Sequence, residues 1–325
     1  MTRSSITQIP PGALDLTGEA VLRRRVLQRG AADALARAGY AELIPPTFEY
    51  EEVFLRAAGP SVAERLIRFV DRDGRILSLR YDYTASIARV AATTFAEAAL
   101  PLRLYYTGKV FRQEVERGGR PREMLQVGAE LLGEGSLAGD IEIVRLTLGM
   151  VRAAGLHEFQ LNLGHVGVLA GGLAALGADL REDVRRWIDR KDRGSLTRAL
   201  VGAPRDAQAL ATLPFIIGRR PAIKDALLGA PVAARPGLDH LLALDEALTA
   251  EERSHLVYDL GEVRGLDYYT GIHFELFVAG AGRAAGAGGR YDDLMGRFGR
   301  PMPAVGVSLD LDTIAESGPA GRGER

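Results

Sequence analysis

Residues 108–130 read GKVFRQEVERGGRPREMLQVGAE and constrain the fold more than any other stretch. A run of β-type residues ends at Phe111-Arg112-Gln113-Glu114. Arg117-Gly118-Gly119-Arg120-Pro121 makes a turn, and Met124 to Leu131 returns as a second strand. Strand side chains alternate between faces, so Gln126, Gly128 and Glu130 share one face while Val127, Ala129 and Leu131 take the other. A hairpin with Arg112 on one arm and Gln126 and Glu130 on the other is a polar platform. It suits a small zwitterion carrying a second polar group.

The remaining pattern is helix, strand and turn in ordinary globular proportions. Thr17 to Ala38 reads as a helix with Thr17 as N-cap, an apolar stripe of Leu22, Val26, Ala34, Leu35 and Ala38, and Gly39 as its stop. Tyr40 to Ile44 is a short strand broken by Pro45-Pro46. Ile76 to Arg80 is another, followed by Asp82-Tyr83-Thr84. Ser136 to Gly155 reads as a helix whose polar face, Asp140, Glu142 and Arg145, is expected to be solvated charge. Phe159 to Leu163 is a strand leading into Leu163-Gly164-His165-Val166-Gly167, where His165 reads equally as a turn residue or a functional one.

Between 168 and 250 the strand alternation disappears. Ala, Leu and Arg dominate, and Pro204, Pro214, Pro221 and Pro231 break the chain, which predicts a small helical insertion. Its basic cluster, Arg185, Arg186, Arg190, Lys191 and Arg193, reads as an exposed helical face, with a partner or phosphate patch as the alternative. Val257–Leu260, Ile272–Val278 and Ala304–Leu309 are strands, Gly280–Gly289 a glycine-rich loop, and 317–325 a disordered tail. Gly280-x-Gly282-x-x-Ala285 follows a strand but opens no helix, so it is no dinucleotide fingerprint.

Composition removes several function classes. A net charge of −1 gives no global basic field for nucleic acid. The absence of cysteine excludes disulfides and thiolate-bound zinc, and the five histidines lack metal-ligand spacing. No metal or cofactor is therefore expected. No leader or membrane-length apolar run is visible, so a cytoplasmic location without membrane contact is expected.

Phe111-Arg112-Gln113-Glu114 with Gln126 and Glu130 resembles motif 2 of the class II aminoacyl-tRNA synthetases, specifically the histidyl family. The helix, strand and proline at 17–46 resemble motif 1, the dimer-forming element. Leu79-Arg80-Tyr81-Asp82-Tyr83-Thr84 resembles that family's Leu-Arg-Pro-Glu-Gly-Thr, with Tyr81 for Pro and Asp82 for Glu. Val263 to Gly271 (VRGLDYYTG) resembles its histidine signature, and Gly288-Gly289-Arg290-Tyr291-Asp292 its next block. The resemblance covers the chain up to about residue 314. It implies an α+β class II synthetase-like core of mostly antiparallel sheet flanked by helices, formed by 1–167 and 251–316, with 168–250 inserted.

The resemblance also implies a histidine pocket. Asp82 and Thr84, with Gln126, would hold the ammonium, and Arg264 the carboxylate. Glu130 and Tyr269 would meet the ring nitrogens, with Tyr268 beside them and Tyr291 closing the pocket. Arg112 and Glu114 are the residues that in such enzymes face the α-phosphate and the adenine. Against adenylate chemistry, motif 3 of the family ends Gly-Leu-Glu-Arg, whereas here the run is Asp310-Leu311-Asp312-Thr313, without that cation. The synthetases continue into an anticodon-reading domain, for which the residues after 313 are too few, so no tRNA partner is expected.

Leu163 to Gly167 and the pattern as a whole resemble the regulatory subunits of ATP phosphoribosyltransferase. That resemblance implies a chain without catalytic residues of its own. Its partners would be a short-form catalytic subunit, L-histidine as feedback effector, and a second copy of itself within a hetero-oligomer. The alternatives are a minimal histidyl-tRNA synthetase or histidine-activating ligase, and a histidine-binding scaffold for another partner.

Overall fold

The two arms read from the sequence pair along their whole length, Leu102–Phe111 against Glu123–Leu132. They belong to a computed structural model that describes residues 7–113, 121–262 and 268–317. Among those residues the strands are β1 (Ala41–Glu42), β2 (Phe48–Tyr50), β3 (Arg68–Val70), β4 (Ile76–Leu79), β5 (Leu102–Phe111) and β6 (Glu123–Leu132). The remaining ones are β7 (Phe159–His165), β8 (Ile217–Gly218), β9 (Leu256–Asp259), β10 (Ile272–Val278), β11 (Gly286–Arg290) and β12 (Ala304–Asp310). One sheet runs β1-β5-β6-β12-β11-β10-β7-β9-β8, and a small one β2-β4-β3. Only the β1–β5 and β7–β9 pairs are parallel. This is the mostly antiparallel sheet flanked by helices that the sequence predicts.

Helices α1 (Gly18–Arg37) and α4 (Leu137–Ala153) lie on one face, joined by helices running from Gly167–Ala174 to Ala250–Ser254. Val127, Ala129 and Leu131 of β6 point into this side, with Ile272, Phe274 and Leu276 of β10. The opposite face packs α2 (Glu51–Ala58) and α3 (Thr84–Ala92) with Tyr106, Met124, Leu132, Tyr291 and Met302. Strand alternation therefore sorts one sheet into two cores, and the platform face of the hairpin belongs to the second. The helices of 168–250 have no separate core, because Val184, Leu196, Leu241 and Leu244 join the cluster under the sheet.

Several expectations need correction. In α1 the buried positions are Leu27, Ala31 and Leu35, while Leu22 and Val26 are exposed. The helix presents a face rotated from the stripe read in the sequence. Thr17 occupies the N-cap position without a side-chain capping bond. Gly286–Gly289 is not loop but most of β11. At Gly288 a Cβ would stand 2.4 Å from the Phe274 ring and 2.5 Å from the Gly306 carbonyl, so these glycines let neighbouring groups lie flat on the strand. Asp140 is buried rather than solvated, Glu142 pairs with Arg103 and Arg145 with Glu252. Ser317 ends a buried helix, Leu311–Ser317, and 318–325 lie outside the described residues.

The basic cluster does not form one patch. Lys191, in a left-handed conformation (φ 53°), turns inward, and its Nζ donates to Pro214 O at 3.1 Å and Gly261 O at 3.4 Å. Arg193 lies over the Phe215 ring, and Arg186 pairs with Asp183.

Candidate functional site

β4 delivers the chain to Arg80, whose buried guanidinium anchors the next turn. It donates to the carbonyls of Pro45 (3.0 Å), Pro46 (2.9 Å) and Lys109 (2.9 Å), tying the proline break to β5. Beyond Arg80 the chain turns into α3. The Asp82 carboxylate accepts the Ala85 N–H at 2.9 Å, a bond from an otherwise unpaired donor of the first helical turn. Burial raises the Asp82 carboxyl, while that N–H and the Arg112 charge hold it down.

Thr84 Oγ1 donates to Glu130 Oε1 at 2.8 Å, and the Tyr291 hydroxyl donates to Oε2. Glu130 is only 2% exposed. Burial pushes its carboxyl up to about 8, opposed by the Tyr291 and Thr84 hydroxyls and reinforced by Asp82. The tyrosines form a group, in which Tyr268 stacks on Tyr291 with ring centroids 5.3 Å apart and meets Tyr269 edge-on at 5.1 Å. Burial first, then the Glu130 charge, raises all three phenols, which keeps them as protonated donors.

A cavity of about 570 Å³ opens in front of this group. Asp82, Thr84, Arg112, Tyr268 and Tyr269 line it. Gln126, Glu130 and Tyr291 are buried on the same side but stand behind that wall. Arg264 and Glu114 lie outside the described residues. The cavity also takes Arg65, Arg297, Glu262, His273 and Glu275, which the sequence pattern does not single out. Arg112 and Arg65 stack on the Tyr81 ring at 4.9 and 5.3 Å, so guanidinium groups gather at one end. Glu262, His273 and Glu275 gather at another, where a second cavity of about 150 Å³ adjoins. His273 and Glu275 are two residues apart in β10, and strand alternation could have found them. Arg65 and Arg297 come from short helical turns with no repeating pattern.

The Asp310-Leu311-Asp312-Thr313 run starts the last described helix. Asp310 Oδ1 accepts the N–H groups of Asp312 and Thr313 at 3.0 and 3.1 Å, and Thr313 Oγ1 donates to Asp310 Oδ2 at 2.7 Å. Arg283 Nε donates to Thr313 Oγ1 at 2.8 Å. His165 Nδ1 accepts the Gly167 N–H at 3.0 Å, and burial pushes the imidazole down to about 4. Those contacts favour the turn reading of His165. Among the described residues no cluster of His, Asp or Glu could hold a metal ion, and no helix is long and apolar enough to cross a membrane.

This arrangement of motif-like strands and a tyrosine-lined pocket can be set against known proteins. Residues 12–314 match the family model described as histidyl-tRNA synthetase. An ATP phosphoribosyltransferase regulatory subunit of Moorella thermoacetica is 39% identical over 317 residues, covering 94% of this chain and 81% of that protein. The chain belongs to the histidyl-tRNA synthetase family and, within it, to the ATP phosphoribosyltransferase regulatory subunits. A solved structure from Bacillus halodurans C, described as an ATP phosphoribosyltransferase regulatory subunit/histidyl-tRNA synthetase, superposes with a TM-score of 0.88 at 29% identity, covering 97% of this chain and 84% of that one. A histidine–tRNA ligase subunit from Alicyclobacillus acidocaldarius gives 0.77 at 30% identity, covering 95% and 96%. Both family names thus meet in one fold.

Proposed function

We propose that this chain is a non-catalytic regulatory subunit that activates a short-form ATP phosphoribosyltransferase catalytic subunit in the cytoplasm and binds L-histidine as its feedback signal. The carrying observation is Glu130, a buried carboxyl held, among the described residues, by the neutral Thr84 and Tyr291 hydroxyls beside a cavity with guanidinium groups at one end. A carboxylate offers about four acceptor positions, so two hydroxyls leave it able to meet a ring N–H. Asp82, Thr84 and Gln126 receive the ammonium, Arg264 the carboxylate, and Tyr269 the second ring nitrogen. Tyr268 and Tyr291 enclose the ring, and Arg112 guards the rim. A site built to pair two ring nitrogens rejects amino acids lacking them, because its own polar groups would stay unpaired.

Adenylate formation is disfavoured by the motif 3 run. The Thr313 hydroxyl is engaged by Asp310 and Arg283, and Thr313 brings no cation to a triphosphate. The core is proposed to comprise 1–167 and 251–316, with 168–250 as an insertion. Contact between two copies is proposed through the motif 1 region, 17–46, where Leu22, Val26 and Ile44 are exposed. Histidine would act by favouring an inhibited arrangement of the hetero-oligomer, and a coupling of about 1–3 kcal/mol suffices.

The test is to mix the chain with a short catalytic subunit and titrate histidine. Activity should appear on mixing and fall with histidine, and Asp82→Ala or Glu130→Ala should relieve inhibition while activation persists. Histidine-dependent exchange of pyrophosphate into ATP by the pure chain would instead make it a ligase. Failure to activate the catalytic subunit would point to another partner.

A further inference from the structure

The register of the large sheet puts five residues in one row across it. Glu130 faces Gly306, Gly306 faces Gly289, Gly289 faces His273, and His273 faces Gly164. Directly opposed residues point to the same face, here the cavity side. Three of the five are glycines, and each is covered by a polar side chain. A Cβ at Gly306 would stand 1.7 Å from Glu130 Oε2, one at Gly289 2.7 Å from the Tyr269 ring, and one at Gly164 2.6 Å from His273 Cε1. Glu130, Tyr269 and His273 therefore lie side by side on a strip of bare backbone. At about 4.8 Å per strand, the Cα atoms of Glu130 and His273 stand roughly 14 Å apart. The Tyr269 and His273 rings are nearly parallel, 6.1 Å between centroids.

His273 stands where this row of side chains meets both cavities. It is 6% exposed and borders both cavities, yet its ring nitrogens have no hydrogen-bond partner among the described residues. Its nitrogens are not among the fully buried unpaired polar atoms, so they remain accessible to a ligand or water. Burial pushes the imidazole down to about 4 against the charges of Glu262 and Asp259, so at neutral pH it offers one donor and one acceptor nitrogen.

We propose that His273 is a ligand-contacting, specificity-determining residue, and that the amino acid held by Glu130 and Tyr269 also hydrogen-bonds the His273 ring. This rests on the histidine-binding reading above. It adds a contact from β10, so that the recognition surface is the whole polar strip and not the hairpin end alone.

Two measurements on the full chain test it. In the first, ¹³C-labelled histidine side chains of the protein are followed by NMR as unlabelled L-histidine is added. The His273 Cε1 signal, assigned by its loss in His273→Phe, should shift in step with binding. In the second, calorimetry should show His273→Phe, which keeps the ring beside Tyr269 but removes both nitrogens, binding histidine about tenfold more weakly, with partial recovery in His273→Asn. Wild-type binding with an unmoved His273 signal would overturn this proposal alone. A wild type that takes up no histidine would overturn the histidine reading and this proposal together.

Discussion

Two acidic side chains on opposite faces of the same sheet are almost equally buried, Glu130 at 2% and Asp140 at 1% exposure, yet their surroundings differ in kind. Asp140, on α4, meets charge or potential charge. Arg290 approaches it through Nε at 2.9 Å and Nη2 at 2.7 Å, and His240 Nε2 lies 2.8 Å from its other oxygen. Glu130, among the described residues, meets hydroxyls alone. The two sites are joined by consecutive residues, Arg290 pointing to Asp140 and Tyr291 to Glu130. A buried acid matched by an arginine and a histidine is complete within the protein, and its role is to join α4, the 168–250 helices and β11. A buried acid matched by neutral donors keeps its carboxyl raised and retains acceptor capacity for something else.

The strongest way to break this contrast is Asp140→Ala. It leaves the buried Arg290 with Asp292, at 3.1 Å, as its remaining carboxylate among the described residues, for which a loss of up to about 3–5 kcal/mol is expected in urea denaturation. A loss below about 1 kcal/mol, the ordinary cost of a point mutation, would mean that Asp140 is no structural hub.

Glu130→Gln should behave oppositely, costing binding rather than stability. The folded Glu130 carboxyl, at about 8, lies above its ordinary value near 4.5, so the folded state holds the proton more tightly. Its stabilising contribution is complete below 4.5 and is lost as pH rises through 8. Wild type should therefore weaken relative to Glu130→Gln between about pH 5 and 9, while histidine binding by the variant drops by about 1.5–3 kcal/mol, the worth of a hydrogen bond to a charged group. Binding to wild type at about pH 7 should also release protons, detected by calorimetry in buffers of different ionisation heat. Proton-neutral binding would show that Glu130 does not meet the ring as a carboxylate.

Much of this contrast is legible in the sequence, and the part that is not has physical causes. The period of two in Gln126, Gly128 and Glu130 fixes their common face, because the strand geometry leaves no other choice. The long strands β5, β6, β10 and β12 are readable for the same reason. β11 is not, since Gly286, Gly288 and Gly289 carry no side chains to alternate, and their value emerges only from the rings that lie on them. Asp140 reads as solvated charge on a helix face because its partners, Arg290 and His240, are 150 and 100 residues away. Alternation in β10 gives His273 and Glu275 a common face, but the register of His273 with Gly289 and Gly164 is stated by no local pattern. In α1, small Ala and Gly positions leave the packed face ambiguous, and close contact decides it: at Gly30 a Cβ would stand 2.4 Å from the Ala153 carbonyl.

The smallest expected effect sharpens the contrast most. Thr84→Val removes one of the two hydroxyls on Glu130 and keeps the shape of the side chain. The Thr84 hydroxyl lowers the Glu130 carboxyl, so its loss should move that carboxyl further up. The pH at which histidine binding reaches half its alkaline strength should move in the alkaline direction, and stability at neutral pH should change by about 0.5–1.5 kcal/mol, the net worth of one hydrogen bond. Thr84→Ser returns the hydroxyl and should restore the wild-type profile. Since Thr84 also borders the cavity, a uniform loss of affinity at every pH would mean that its hydroxyl serves the ligand directly. A shifted midpoint with unchanged alkaline affinity would mean that it serves through Glu130, which is what separates a carboxyl tuned for a ligand from one that, like Asp140, is already paired.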